Sequence, residues 1–279
     1  MSAEGPVAVG ERRARVALAG LALSLVVVCL SVDLPALTNG HFFNDGATYY
    51  TMAQSLAEDF DLRYDAGDLS RVRREYPDGP QGIFLKRPGD TVVLDSSRGY
   101  LWPRRLTLAE RDRPLFFGKP FLYPFVAAPF VRLLGSRGLL LVNALSLGIA
   151  LVLAYRELRR HADPGRALFA TIVLIFGTVV PLYLFWPTPE VFYLALALGG
   201  LSAWRSKRPL LAAVLFGLGA FAKPPAVFLA IPLGLEPFLD PLGGSVPARL
   251  AESLRRGAVL AATALLLFCV NRLATGEWN

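Results

Sequence analysis

Soft metal ligands are scarce in this sequence. Its 279 residues include two cysteines, Cys29 and Cys269, and two histidines, His41 and His161. Each cysteine lies inside an apolar run without CxxC spacing, so neither a disulfide framework nor a thiolate metal site is indicated. The histidines are far apart, which argues against a histidine-based metal centre. There is no internal repeat and no low-complexity tract.

What is abundant is apolar. Hydrophobic residues make up 54% of the chain and the mean hydropathy is +0.45, above the about 45–50% of soluble domains. The excess is concentrated in blocks, as membrane spans require. A net charge of +7 would suit nucleic acid, but its distribution points elsewhere. Residues 38–119 hold 12 basic and 12 acidic side chains. The surplus falls in short clusters between apolar blocks, which is a topology signal, and no nucleic-acid partner is expected.

The expected fold is an all-α polytopic membrane protein of about seven transmembrane helices. The apolar blocks are 16–37, 138–155, 167–186, 191–204, the pair 210–222 and 226–239 broken at Lys223-Pro224-Pro225, and 257–273. Residues 121–134 are too short and proline-punctuated to span, and read as an interfacial helix. Arg12, Arg13 and Arg15 before the first block imitate a signal peptide. Val28 is too large to precede a lipoprotein cysteine, and no small-x-small site follows, so an uncleaved span is favoured. Basic clusters at 12–15, 156–166, 205–208 and 249–256 occupy every second connection. All four fall on one side only with seven crossings and the N-terminus inside. The organisation is then a cytoplasmic tail (1–15), a first span (16–37), an external loop (38–119), a helical bundle (120–273) and an external tail (274–279).

The loop opens with Tyr49, Met52, Ala53, Leu56 and Ala57 at helical spacing, which predicts an amphipathic helix over 46–59 lying on the membrane surface. Residues 82–86 and 91–95 flank Arg87-Pro88-Gly89-Asp90, whose central Pro-Gly suits a type II turn and a short hairpin.

Asp45 is the most informative polar residue. It stands just beyond the first span, where a carboxylate could accept a proton from an acceptor hydroxyl or amine. It would also serve as the N-cap of the helix it precedes. Glu58, Asp59 and Asp61 form a run that is either a solvated surface or a divalent-cation site. Lys119, at the return to the membrane, and Lys223, between two half-length apolar segments, could hold a phosphate or snorkel to headgroups. Glu190 follows Pro187-Thr188-Pro189 as an ordinary helix start, with Thr188 as cap, or faces substrate. Tyr49 joins Lys119, Lys223 and Glu190 as a substrate-binding candidate.

Three segments together carry a resemblance: NDGATYYTMAQSLAEDFDL (44–62), GKPFLYPFVAAPFVRLLG (118–135) and GLGAFAKPPAVFLAIPL (217–233). In order and topology the chain resembles the GT-C membrane glycosyltransferases, which include protein O-mannosyltransferases and bacterial lipid A aminoarabinose transferases. Residues 79–87, GPQGIFLKR, are similar to a first-loop segment of bacterial members. The resemblance implies a polyprenyl-phosphate sugar donor, a glycan, lipid or protein acceptor, and the cytoplasmic membrane as location. It places the catalytic aspartate of the first external loop at Asp45; no cofactor is assigned, with a divalent cation as the one candidate. Such proteins carry more spans, so this chain reads as an N-terminal portion. The competing expectation is a transporter or lipid-binding membrane protein, which would use the broken helices and Lys223 equally well but leaves the long loop with Asp45 unexplained.

The orientation is open to direct test. A single cysteine at Ser70, in a background lacking Cys29 and Cys269, is expected to react with membrane-impermeant maleimide on intact cells. Labelling only after lysis overturns the assignment.

Overall fold

The computed structural model describes residues 6–87, 91–95, 102–106, 114–239 and 244–278. Helices dominate it. The chain starts with α1 (Pro6–Ser31), whose apolar run has no internal proline, and the single turn α2 (Leu34–Leu37), capped by the Asp33 carboxylate. A polar segment follows: β1 (Phe42–Phe43), α3 (Asn44–Glu58), β2 (Arg63–Tyr64), α4 (Ala66–Glu75), β3 (Pro80–Gln81), β4 (Leu85–Lys86), β5 (Thr91–Asp95), β6 (Trp102–Leu106) and β7 (Leu115–Phe117). Then come α5 (Leu122–Leu134), α6 (Arg137–Leu158), α7 (Pro164–Phe176), α8 (Glu190–Arg205), α9 (Pro209–Ala222), α10 (Ala230–Leu239) and α11 (Val246–Thr275), with 3-10 turns at Val180–Leu184 and Pro224–Leu229.

Among the described residues, three helices are long and apolar enough to cross a bilayer: Val7–Ser31 of α1, α6 and α11. At 1.5 Å per residue, the 22 residues of α6 extend about 33 Å, against a hydrocarbon core of about 30 Å. These helices are compatible with a membrane protein. α5, α7, α9 and the stretch 224–239 are apolar but shorter. The most apolar window of α6 is 72% buried, against 22% for α1 and 17% for α11. α6 is therefore the axis of the bundle, while α1 and α11 turn broad apolar faces outward. α6 packs on α1, α5, α7 and α8, and α9 packs on α8 and α11.

Several expectations need correction. The block 167–186 is not one continuous helix. α7 stops at Gly177 and the chain continues as a 3-10 turn, because Pro181 has no N–H to give an α ladder. The break at Lys223-Pro224-Pro225 is present as expected, with α9 ending at Ala222. α11 starts at Val246, well before 257, since the charged turns over 249–256 are helical too.

The helix expected to lie amphipathic on a surface is present as α3, but it is packed rather than surface-lying. Every residue from Gly46 to Ala53 is buried, because α4, α5 and β3 cover it. The expected hairpin is also rearranged. β4 does not pair with β5; it joins β2 on the two sides of β7, with Leu85 opposite Phe117 and Arg63 opposite Phe116. β5 pairs antiparallel with β6, Thr91 opposite Leu106. The turn residues 88–90 lie outside the described residues. β1 and β3 form a short parallel pair.

Polar contacts sort the helix ends into two groups. At one end Glu11 accepts from Arg159 Nε (2.9 Å) and Tyr155 OH (3.1 Å). Arg205 Nε lies 2.8 Å from Glu157. Arg256 sits between Glu236 and Glu252 in a cleft that Trp204 and Lys207 also line. The four basic clusters thus gather at a single end. At the other end Arg137 Nε donates to the Val32 carbonyl (2.9 Å). Glu75 of α4 accepts from Ser136 N (3.2 Å), ahead of α6. Lys86 lies beside Glu277; burial lowers its pKa, and the Glu277 charge opposes that.

Small residues set how closely the bundle closes. A Cβ on Gly217 of α9 would lie 2.6 Å from the Leu260 carbonyl oxygen of α11. Gly257 has nothing within 4 Å of the same position. Gly217→Ala is expected to lower the thermal midpoint in detergent, with over-packing costing about 1–3 kcal/mol, while Gly257→Ala leaves it unchanged or slightly higher. Equal shifts in the two variants would rule out close α9–α11 contact.

Candidate functional site

The polar segment folds so that Asp45 faces Lys119. The chain enters α3 through extended Phe43 (φ −124°, ψ 151°) and left-handed Asn44 (φ 52°). Asp45 is therefore already in the first helical turn and is not the N-cap that its sequence context suggests. The Thr48 hydroxyl accepts the Phe84 N–H (3.0 Å), and the Phe84 carbonyl accepts the Gly118 N–H (2.7 Å). This clamp passes close over α3. Gly82 (φ +64°) has no Cβ, and one would lie 2.6 Å from Asn44 Oδ1. The clamp puts Lys119 where its ammonium is 2.9 Å from Asp45 Oδ1 and 4.0 Å from the centre of the Phe84 ring.

The opposite wall is the connection 182–188. It approaches α3 so closely that a Cβ on Gly46 would meet Pro187 at 2.9 Å. Asn143 of α6, fully buried, holds this wall. Its Nδ2 donates to the carbonyls of Tyr183 (3.1 Å) and Trp186 (2.9 Å), and its Oδ1 accepts from Tyr123 OH (2.9 Å). Sequence reasoning missed Asn143. The available signal was a lone amide in the largely apolar run LLLVNALSLG.

Between the walls lies a groove of about 870 Å³ lined by Asp45, Phe84, Trp186, Thr188 and Glu190 among others. Glu190 also closes a second, apolar slot of about 340 Å³ between α8 and α9, where Leu194, Ala197 and Phe216 form the walls. At its mouth Lys223 Nζ lies 2.6 Å from Glu190 Oε1. Glu190 starts α8 with Pro189, not Thr188, at the cap position. Groove and slot therefore share one carboxylate, and each has a lysine beside it.

Four of the five sequence candidates thus form two ion pairs, Asp45–Lys119 and Glu190–Lys223. Tyr49 differs. It is 5% exposed, packs edge-on against Tyr123 (5.7 Å) and is not among the groove-lining residues. Burial, then the charges of Asp45 and Glu190, push its phenol well above the usual range.

The acidic run does not converge on a cation. Asp59 pairs with Arg71, Asp61 accepts from Ser55 OH (2.9 Å) and Arg63 N (3.0 Å), and Glu58 faces Arg132 (3.7 Å). Among the described residues, no group of three or more His, Cys, Asp or Glu could hold a metal ion. Comparison of the chain with family models, curated proteins and solved structures finds no match.

The two kinds of polar contact differ in purpose, and stability separates them. Asp45 and Lys119 are 41% and 22% exposed, and such pairs contribute about 0–1 kcal/mol. Asp45→Asn and Lys119→Met are expected to leave the unfolding midpoint nearly unchanged. Asn143→Leu strands two carbonyls and a hydroxyl, at a cost of about 1–3 kcal/mol for each group left unsatisfied. A large midpoint drop in Lys119→Met would assign the ion pair a structural role instead.

Proposed function

We propose that this protein is a membrane glycosyltransferase that moves a sugar from a polyprenyl-phosphate donor to an acceptor outside the cytoplasmic membrane. The observation that carries this reading is the joined site: a wide, aromatic-walled groove with a half-exposed carboxylate and its lysine at one wall, connected through Glu190 to a narrower apolar slot with a lysine at its mouth. A lipid-linked phosphosugar needs both environments, one for the isoprenoid chain and one for the sugar and acceptor.

In this reading the acceptor hydroxyl loses its proton to Asp45 as its oxygen bonds to the anomeric carbon. The bond from that carbon to the phosphate oxygen breaks, and the lipid phosphate leaves with the electron pair. Lys119 and Lys223 supply positive charge to that leaving group. Their carboxylate partners orient them until a phosphate competes for the ammonium. The elements α1, α6, α7 with its 3-10 turn, α8, α9, the 224–239 stretch and α11 are the seven crossings, and residues 38–119 face outward. The gathering of all basic clusters at one end supports an inside N-terminus.

The test follows transfer from a radiolabelled polyprenyl-phosphate sugar. Asp45→Asn cannot take the proton, and transfer is expected to fall about 10²–10⁴-fold at normal expression. Lys223→Met is expected to weaken donor binding without altering membrane insertion. Wild-type transfer rates in Asp45→Asn would falsify the catalytic assignment.

A further inference from the structure

A second groove, of about 720 Å³, lies on the far side of α3. Gln54 is on its wall, nine residues after Asp45. At 100° per residue this is half a revolution from Asp45, so the body of α3 separates this groove from the Asp45 groove. Its lining is polar, in contrast to the slot between α8 and α9. Three guanidinium groups, Arg71, Arg74 and Arg132, face three carboxylates, Glu58, Asp59 and Glu75, and the charges balance.

The floor is rigid. The Glu75 carboxylate accepts from Tyr50 OH and from the Ser136 N–H and hydroxyl. It sits so close to Gly135 (φ +59°) that a Cβ there would lie 2.9 Å from Glu75 Oε2. One charged group on the wall is unspent. Arg74 is exposed and has no carboxylate partner among the described residues.

We infer that this groove binds a saccharide. A neutral ligand matches the balanced charge, since an anion would meet three carboxylates and a cation three guanidinium groups. The guanidinium donors of Arg74 and Arg132 beside the carboxylate acceptors of Glu58 and Asp59 match vicinal hydroxyls. The groove's volume lies within the about 300–1,000 Å³ of small-molecule sites. The site holds a glycan without acting on it, because Asp45 is on the opposite side of the helix. It stands independently of the transfer reaction.

The test is binding of the purified full chain to a printed array of hexose, pentose and N-acetylhexosamine oligosaccharides, followed by titration of the best-bound free glycan. Arg74→Ala removes a charged donor that pairs with no carboxylate of the described fold and is expected to weaken binding about tenfold or more. Ser70→Trp, at an exposed position on the groove wall, is expected to abolish it by filling the space. Asp45→Asn is expected to bind as the parent does, whatever its effect on transfer, so this site and the proposed reaction fail separately. No binding anywhere on the array overturns the inference. So does glycan binding that Arg74→Ala and Ser70→Trp leave unchanged while their thermal midpoints match the parent.

Discussion

The amide of Asn143 is the contact on which the site depends. It sits in the second turn of α6 and joins three separate stretches: α6 itself, α5 through Tyr123, and the connection before α8 through two carbonyls. A buried amide that meets its partners is strongly specifying, because every alternative arrangement leaves polar groups dry and unpaired. With the 182–188 connection held in this way, Pro187 can rest on Gly46, and the groove acquires its second wall.

The first wall has a different origin. Residues 82–84 run between α3 and the 118–119 segment, bonding to Thr48 on one side and Gly118 on the other. Lys119 is delivered to Asp45 by backbone hydrogen bonds, not by the attraction of the charges, which is weak at this exposure. The ion pair is therefore a consequence of the fold and is available to be opened by a ligand. The pair at Glu190 and Lys223 arises similarly. The proline pair after Lys223 ends α9, and Lys223 at its C-cap reaches the start of α8.

Charge elsewhere is organised by ends. Arginines that look redundant in the linear sequence become a connected layer, in which Arg159, Arg205 and Arg256 each meet a carboxylate from another helix. Carboxylates from separate helices bind these arginines to the bundle, so the layer contributes to helix packing as well as to any orienting role. The opposite end carries the polar segment and both lysine–carboxylate pairs.

Apolar block lengths and the spacing of arginine clusters were enough to determine a helical chain with membrane-compatible spans, the break at Lys223-Pro224-Pro225 and the helix after residue 44. These are local properties, set by composition, periodicity and the missing N–H of proline. Asp45 and Lys119 stood out singly, but nothing in their 74-residue separation indicates that they touch. The tertiary structure alone decided that α3 is buried from Gly46 to Ala53, that β4 leaves its neighbour β5 for β7, and that Asn143 rather than Tyr49 shapes the groove. Each of these depends on which segment arrives from far along the chain to cover a surface or satisfy a buried polar group, and a linear pattern does not record that arrival.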